Sequence, residues 1–131
     1  MGWDIYIETT PDGEGEVMDL PERLELASSI QCVGGEPLAE MSITFNYVKF
    51  FHEALPEGHK IRELDHKKVS DTLEGLKEGL AKLKVAASWE SDFAKYESND
   101  YWFASATNAA RALESLITMG ELCPNGYWMV N

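Results

Sequence analysis

Three histidines, with acids close by in sequence, are the residues of this chain whose types suit metal or acid–base chemistry. His52, His59 and His66 repeat at intervals of seven residues, and Glu57 and Asp65 stand among them. A transition-metal site needs three or four converging ligands, and a helical zinc motif joins two histidines as His-x-x-x-His. No such pair occurs in the sequence. The pattern therefore predicts three surface histidines, with no metal site and no cofactor.

A short acidic turn superficially resembles a calcium-binding loop. It reads Asp-Gly-Glu-Gly-Glu from Asp12 onward. An EF-hand loop needs glycine at its sixth position and glutamate at its twelfth. Counted from Asp12, these positions hold Val17 and Arg23. The sequence therefore predicts a solvated acidic turn.

Sequence signatures of covalent catalysis are missing. The chain has no glycine-rich phosphate loop and no Gly-x-Ser-x-Gly nucleophile elbow. Cys32 and Cys123 stand alone, without a Cys-x-x-Cys pair, so we predict two buried, reduced thiols and neither a zinc ribbon nor a redox pair. No catalytic residue is predicted. A small enzyme with His52 as its base stays open as an alternative.

Two polar and aromatic strings each lead into a predicted helix, at residues 42–47 and 99–108. Free N–H groups at a helix start favour anions or polar ligands, and two such starts can line one pocket. Plain helix capping with aromatic core packing is the alternative. The residues predicted to bind a small polar ligand are Asn46, Tyr47, His52, Tyr101, Trp102, Thr107 and Asn108.

The negative charge of the chain is concentrated near its start. The formal net charge is −12, and residues 1–40 hold ten acids against a single base, Arg23. Phosphate backbones demand basic patches, so direct nucleic-acid binding is not expected. An acidic surface can face a basic protein, a cation or simply water. The residues predicted to contact a basic protein partner are Glu14, Glu16 and Asp19.

The elements that position these residues follow from hydrophobic periodicity. Alternating apolar residues, such as Trp3, Ile5 and Ile7, indicate half-buried strands. Strands are predicted over residues 3–8, 41–45 and 127–130, with shorter apolar pieces at 16–20 and 28–33.

Helical spacing of apolar residues is clearest over residues 69–84 and recurs twice. Helices are predicted over residues 47–55, 69–84 and from about 107 to 120, capped by Asn46, by Asp65 or Ser70, and by Ser105 or Thr107 respectively. Strands first and helices later indicate an α+β class, with a small antiparallel sheet packed against about three helices. Residues 1–131 are predicted to form a single domain. No membrane span or secretory signal is evident, so a cytoplasmic protein is expected.

Several strings resemble those of a family of small uncharacterised proteins met in phages, prophages and bacterial genomes. The strings are Trp3-Asp4-Ile5, Ser42-Ile43-Thr44-Phe45-Asn46-Tyr47, Ile61-Arg62, Tyr101-Trp102, Thr107-Asn108-Ala109 and Pro124-Asn125-Gly126-Tyr127-Trp128. The family has Asn where Ser42 stands, and its last Trp is shifted by one place. The resemblance implies a cytoplasmic protein from a mobile element and supplies no mechanism.

Three functional hypotheses follow. The first is a non-enzymatic binding protein that acts on a basic protein partner, since small acidic chains suit inhibitors of proteins with basic surfaces. The second is a small-ligand-binding, sponge-like protein with its pocket at the two helix starts. The third is the small enzyme with a histidine base.

Overall fold

The fold is given by a computed structural model that describes residues 2–20, 30–33, 36–89 and 106–131. The strands are β1 (Gly2–Glu8), β2 (Ile30–Val33), β3 (Glu36–Thr44) and β4 (Tyr127–Val130), and the helices are α1 (Val48–Ala54), α2 (Leu73–Trp89) and α3 (Ala106–Leu122). Short 3₁₀ turns occupy Phe45–Tyr47, Ile61–Leu64 and Val69–Asp71. Within the described residues, the predicted α+β class with an antiparallel sheet and three helices is confirmed.

The sheet has four strands in the order β2-β3-β1-β4, and each neighbouring pair is antiparallel. Ile5 of β1 lies opposite Met41 of β3 on one side and Val130 of β4 on the other. All three side chains are buried. Strand side chains alternate between faces, so this register places one continuous apolar row on the inner face of the sheet.

Helices α2 and α3 cover the inner face of the sheet. Their buried side chains belong to the same core cluster as those of the strands, and they include Leu76, Leu83, Leu113 and Leu116. The apolar face predicted for α3 is confirmed, because Ala109, Ile117 and Gly120 are buried as well. Burial of each large aliphatic side chain stabilises a fold by about 1.5–3 kcal/mol, so this layer contributes strongly to stability.

Helix α1 begins differently from the sequence prediction. Thr44, not Asn46, caps the turn, with its Oγ1 accepting the Asn46 N–H at 3.3 Å. A 3₁₀ turn follows before the α-helix starts at Val48. Phe50 and Phe51 of the helix are buried, whereas Val48, its first residue, is 46% exposed.

The caps predicted for the longer helices also need correction. Neither Asp65 nor Ser70 caps α2, because the 3₁₀ turn Val69–Asp71 precedes its start at Leu73. Thr107 lies inside α3, which begins at Ala106. The alternative cap, Ser105, lies outside the described residues.

Strands β1 and β3 separate beyond Tyr6, and the chain around Met18 fills the gap between them. Met18 donates its N–H to the Ile7 carbonyl at 2.8 Å and accepts the Ala39 N–H at 2.8 Å. The apolar piece at residues 16–20 thus joins the sheet through isolated bridges and forms no regular strand.

The free edge of β4 is covered by the chain that leads into α2. The His66 N–H donates to the Trp128 carbonyl at 2.7 Å, and the Trp128 N–H donates to the Lys67 carbonyl at 2.9 Å. Val69 continues the pairing by donating its N–H to the Gly126 carbonyl at 2.9 Å. These bonds fix His66 beside the sheet although it belongs to no regular element.

Cys123 is a free, buried cysteine, as predicted. Burial raises the pKa of its thiol, and the nearby Asp19 carboxylate raises it further. Its thiol is therefore protonated and poorly nucleophilic at neutral pH. The side chain of Cys32 lies outside the described part of the chain.

Candidate functional site

A cavity of about 310 Å³ opens on the outer face of the sheet, where β1 and β4 meet. We call it the outer pocket, lined chiefly by Tyr6, Glu8, Val17, Asp65, His66 and Met129. Alternation along β1 turns Tyr6 and Glu8 away from the buried Ile5 and Ile7. Met129 pairs with Tyr6 across the strands and lies beneath the cavity. The outer pocket therefore uses the side of the sheet that the helices leave free.

The acidic turn after β1 forms one wall of the outer pocket. Thr9 closes the turn by donating its N–H to the Glu16 carbonyl at 3.0 Å. Inside it, Asp12 Oδ1 accepts the Thr10 hydroxyl at 2.6 Å and the Glu14 N–H at 2.9 Å. Gly13 adopts a left-handed conformation (φ 81°) that a side chain would disfavour. Local hydrogen bonds of this kind replace regular secondary structure and give the wall a defined shape.

His66 holds the acidic turn against the rest of the molecule. Its Nδ1 lies 2.7 Å from the Pro11 carbonyl oxygen, which can only accept, so Nδ1 carries a hydrogen and donates it. Its Nε2 lies 3.4 Å from Asp65 Oδ2. The backbone of His66 is left-handed (φ 68°), a conformation that is uncommon outside glycine and found more often in histidine than in bulky residues. Such strained residues cluster at functional sites.

Asp65 is held in place by the sheet edge. Its Oδ1 accepts the Val130 N–H at 2.9 Å, which satisfies an edge amide of β4. Its second oxygen is left to face His66 and the outer pocket. One carboxylate thus serves the fold and also contributes negative charge to the cavity.

Glu8 is the least compensated group of the outer pocket. Its Oε1 is shielded from solvent and finds no hydrogen-bond partner among the residues that the structure describes. Partial burial raises the pKa of Glu8, and the charges of Asp12 and then Asp65 raise it further, against the opposing effect of His66. Buried polar oxygens without a partner are rare in folded proteins because they lose their hydration.

Neighbouring groups reinforce the negative character of this face. Hydrogen bonds from the Thr10 hydroxyl and the Glu14 amide lower the pKa of Asp12, so it stays ionised. Burial raises the pKa of Tyr6, and Glu40 and Asp4 raise it further, although a hydrogen bond with Asn131 acts in the opposite direction. The phenol of Tyr6 therefore stays protonated, as a neutral hydroxyl beside carboxylates.

The predicted ligand site at the start of α1 has a different character. Asn46 and His52 are exposed, and His52 does not line the outer pocket. Tyr47 is half-buried and packs edge-on against Phe51, with ring centroids 6.0 Å apart. Burial raises the pKa of Tyr47, and Arg111 of α3 lowers it, so the start of α1 lies near the first turns of α3. This aromatic packing accounts for Tyr47 without a ligand.

The start of α3 carries the remaining predicted ligand residues. Thr107 is exposed and Asn108 is half-buried, and Asn108 makes interactions of its own. Tyr101 and Trp102 lie outside the described residues. The shared pocket of the two helix starts therefore stays a prediction.

The carboxylates predicted to contact a partner are all on the surface. Glu14 and Glu16 are exposed on the acidic turn that walls the outer pocket. Asp19 is exposed as well, and it is the residue that forms the bridge to Leu38 of β3. Their contact with a partner stays a prediction, but two of them lie on the same turn as the candidate site.

Sequence reasoning missed the outer pocket as a site. Alternation in β1 does turn Tyr6 and Glu8 outward, so that part of the signal was readable. The contact between His66 and Pro11 joins residues that are 55 positions apart in sequence, so no local pattern predicts it. Among the described residues, no group of three or more His, Cys, Asp or Glu side chains is placed to hold a metal ion.

Comparisons with family models, with curated proteins and with solved structures found no match to this chain. The likeness to small phage proteins is thus left as an expectation from the sequence. Within the described part of the chain, no helix combines the length and the apolar character needed to cross a membrane.

Proposed function

We propose that the protein is a non-enzymatic, cytoplasmic binding protein of phage or prophage type, and that its partner is a basic protein. The observation that carries this proposal is the uncompensated Glu8 carboxylate in a cavity walled by an acidic turn. A protein that keeps negative charge in a partly buried place loses stability by doing so, and a positively charged partner removes that cost. The excess of acidic residues among residues 1–40 also favours a positively charged partner.

The exposed acids of the turn suit the approach of such a partner. Complementary charge speeds encounter and sets orientation more than it adds affinity, and salt weakens its effect. Glu14 and Glu16 stand on the surface of the turn, where they can act at long range. Glu8 and Asp65 lie in the outer pocket, where contact is close.

Charge reversal tests the proposal with an oligoarginine peptide as the probe. Replacing Glu14, Glu16 and Asp19 by lysine should weaken binding of the peptide by about 10- to 100-fold at low salt, because three attractions become repulsions. The loss should shrink at physiological salt. Isothermal titration calorimetry measures both affinities.

The matched control changes the net charge equally at another place. Glu57, Glu74 and Glu78 are exposed residues of α2 and of the loop before it, and their triple lysine variant should lose far less affinity. An equal loss of affinity in both variants would mean that binding of the peptide depends only on the net charge of the protein. That result would contradict a specific acidic surface.

A small-ligand-binding protein is the second candidate, favoured by the volume of the outer pocket. About 310 Å³ lies at the lower end of the range in which proteins hold small molecules. The cavity differs in place from the pocket predicted at the two helix starts.

A further inference from the structure

We propose that the outer pocket binds one alkyl cation, the side chain of a lysine or arginine in the partner protein, with Glu8 and Asp65 as its counter-charges. This inference rests on the proposed function, because it assigns one residue of the basic partner to one place on this chain. It requires a cavity that is negative, partly apolar and able to accept hydrogen bonds.

The charge of the lining selects a cation. Among the described residues that line the outer pocket, Glu8 and Asp65 carry carboxylates and none is a lysine or an arginine. His66 is engaged with the Pro11 carbonyl and lies against Asp65. Asp12 adds a further negative charge, which raises the pKa of Glu8. An incoming anion would meet repulsion, whereas an ammonium or guanidinium group would meet two counter-charges.

The apolar part of the lining suits an alkyl stem. Met129 is 6% exposed, and Val17 and Tyr6 are half-buried beside it. Lysine and arginine lay their methylene groups along apolar surface and carry the charge at the tip. The hydroxyl of Tyr6 and the carboxamide of Asn131 add hydrogen-bond acceptors near the carboxylates. A basic side chain therefore matches both kinds of surface.

A metal ion fits this cavity less well than an organic cation does. Hard metal ions need several oxygen ligands that converge on one point. Among the described residues, no group of three or more acidic, histidine or cysteine side chains is so placed. A basic side chain brings its own hydrogen-bond donors, so two carboxylates and neutral acceptors suffice.

The shielded oxygen of Glu8 explains why a cation would be held. Negative charge is shared between both carboxylate oxygens, so a cation in the cavity stabilises the whole group without touching Oε1. In the free protein, the structure shows no hydrogen-bond partner for that oxygen among the described residues. The cation thus supplies the counter-charge that the fold itself does not provide for the Glu8 carboxylate.

The test is a nuclear magnetic resonance titration of the full chain with small probes. N-acetyl-lysine amide and N-acetyl-arginine amide should shift the amide signals of Glu8, Asp65 and Met129, and uncharged N-acetyl-norleucine amide should not. Glu8→Gln should weaken binding of the cations by about 10- to 100-fold, as expected for loss of a hydrogen bond to a charged group. Glu78→Gln, on the exposed side of α2 and outside the pocket lining, should leave the affinity within about twofold.

The free diamine putrescine serves as an additional probe, because the same chemistry occurs in a small ligand. Tighter binding of putrescine than of either amino-acid amide would overturn the assignment to a protein side chain and favour the small-ligand candidate. Equal affinity in wild type and Glu8→Gln, or an equal loss in Glu78→Gln, would overturn the pocket itself. Circular dichroism confirms that each variant is folded.

Failure of the inference can be told from failure of the proposed function. If no small cation binds while oligoarginine still responds to charge reversal at Glu14, Glu16 and Asp19, the inference fails and the proposed function stands. If oligoarginine binding is also insensitive to that reversal, both fail.

Discussion

The two faces of β1 differ in almost every physical respect. The inner face carries Trp3, Ile5 and Ile7, which are all buried against the helices. The outer face carries Tyr6 and Glu8, which are half-buried in a cavity with charged neighbours. One strand thus separates a surface that stabilises the fold from a surface that holds uncompensated charge. The difference shows that a candidate site can be recognised where partly buried charged groups lack the partners that would stabilise them.

The largest expected effect tests the inner face. Trp128 of β4 is fully buried, and its Nε1–H donates to Thr72 Oγ1 at 2.8 Å. Its ring lies so close to α3 that a Cβ on Gly120 would stand 3.0 Å from it. Trp128→Ala should lower the free energy of unfolding by about 3–5 kcal/mol through lost burial and a cavity. Urea denaturation followed by circular dichroism measures the change.

An exposed apolar residue gives the control for Trp128. Val85 on α2 is 55% exposed, and Val85→Ala should change the free energy of unfolding by about 0.5 kcal/mol or less. A similar loss in both variants would mean that the inner face is not the main source of stability.

An intermediate effect tests the helix layer behind the inner face. A Cβ on Gly79 of α2 would lie 3.2 Å from Leu55 Cγ and closer still to Cδ2, and Leu55 is itself 2% exposed. Alanine gains about 1 kcal/mol in helix propensity, but overpacking costs about 1–3 kcal/mol. Gly79→Ala should therefore destabilise the protein by about 1 kcal/mol, measured as a lower midpoint of urea denaturation.

Gly75, one turn earlier on α2, gives a second test of the same layer. Its added Cβ would meet the half-buried ring of His59, with Cγ only 2.7 Å away. Gly75→Ala should therefore lower the denaturation midpoint as well. A midpoint raised by Gly79→Ala would show that the contact with Leu55 relaxes easily.

The smallest expected effect tests the outer face, and here the substitution should stabilise the protein rather than destabilise it. The pKa of Glu8 is raised above its ordinary value of 4.5 by partial burial and by Asp12, so the folded state holds the proton more tightly than the unfolded state. The stability linked to this group is full below the ordinary value and falls as pH rises through the raised pKa. Glu8→Gln cannot ionise, so its melting temperature should be slightly higher than that of wild type at neutral pH.

Thermal melts across a pH series check this sign. The difference between Glu8→Gln and wild type should vanish in acid, where Glu8 is protonated, and should grow as pH rises. Glu78→Gln, on the exposed side of α2, controls for the loss of one charge. A melting temperature lowered by Glu8→Gln at neutral pH would mean that the ionised carboxylate has a stabilising partner.

Periodicity predicted the elements well where one face of an element is strongly buried. The alternation of β1 and the apolar stripe of α2 were both readable, because long-range packing there agrees with the local pattern. The bounds of α1 were predicted to within one residue, and Phe51 and Leu55 are buried at helical spacing. Val48, at the same spacing, is exposed instead, and Thr44, not Asn46, caps the turn before the helix.

The candidate site could be predicted only in part, since contacts distant in sequence create it. The acidic turn at Asp12 was identified, and so was the outward side of β1. The meeting of that turn with Asp65 and His66 depends on how the chain passes along β4. No window of sequence contains both, so neither spacing nor composition reveals the cavity.

The chain segment beside β4 also determines how the molecule behaves among its own copies. An unpaired strand edge presents free N–H and C=O groups on which another chain can add a strand and begin aggregation. Here the backbone N–H and C=O groups of Trp128 are hydrogen-bonded to Lys67 and His66. The Val130 N–H donates to the carboxylate of Asp65. The residues that build the outer pocket therefore also protect this border of the sheet from intermolecular pairing.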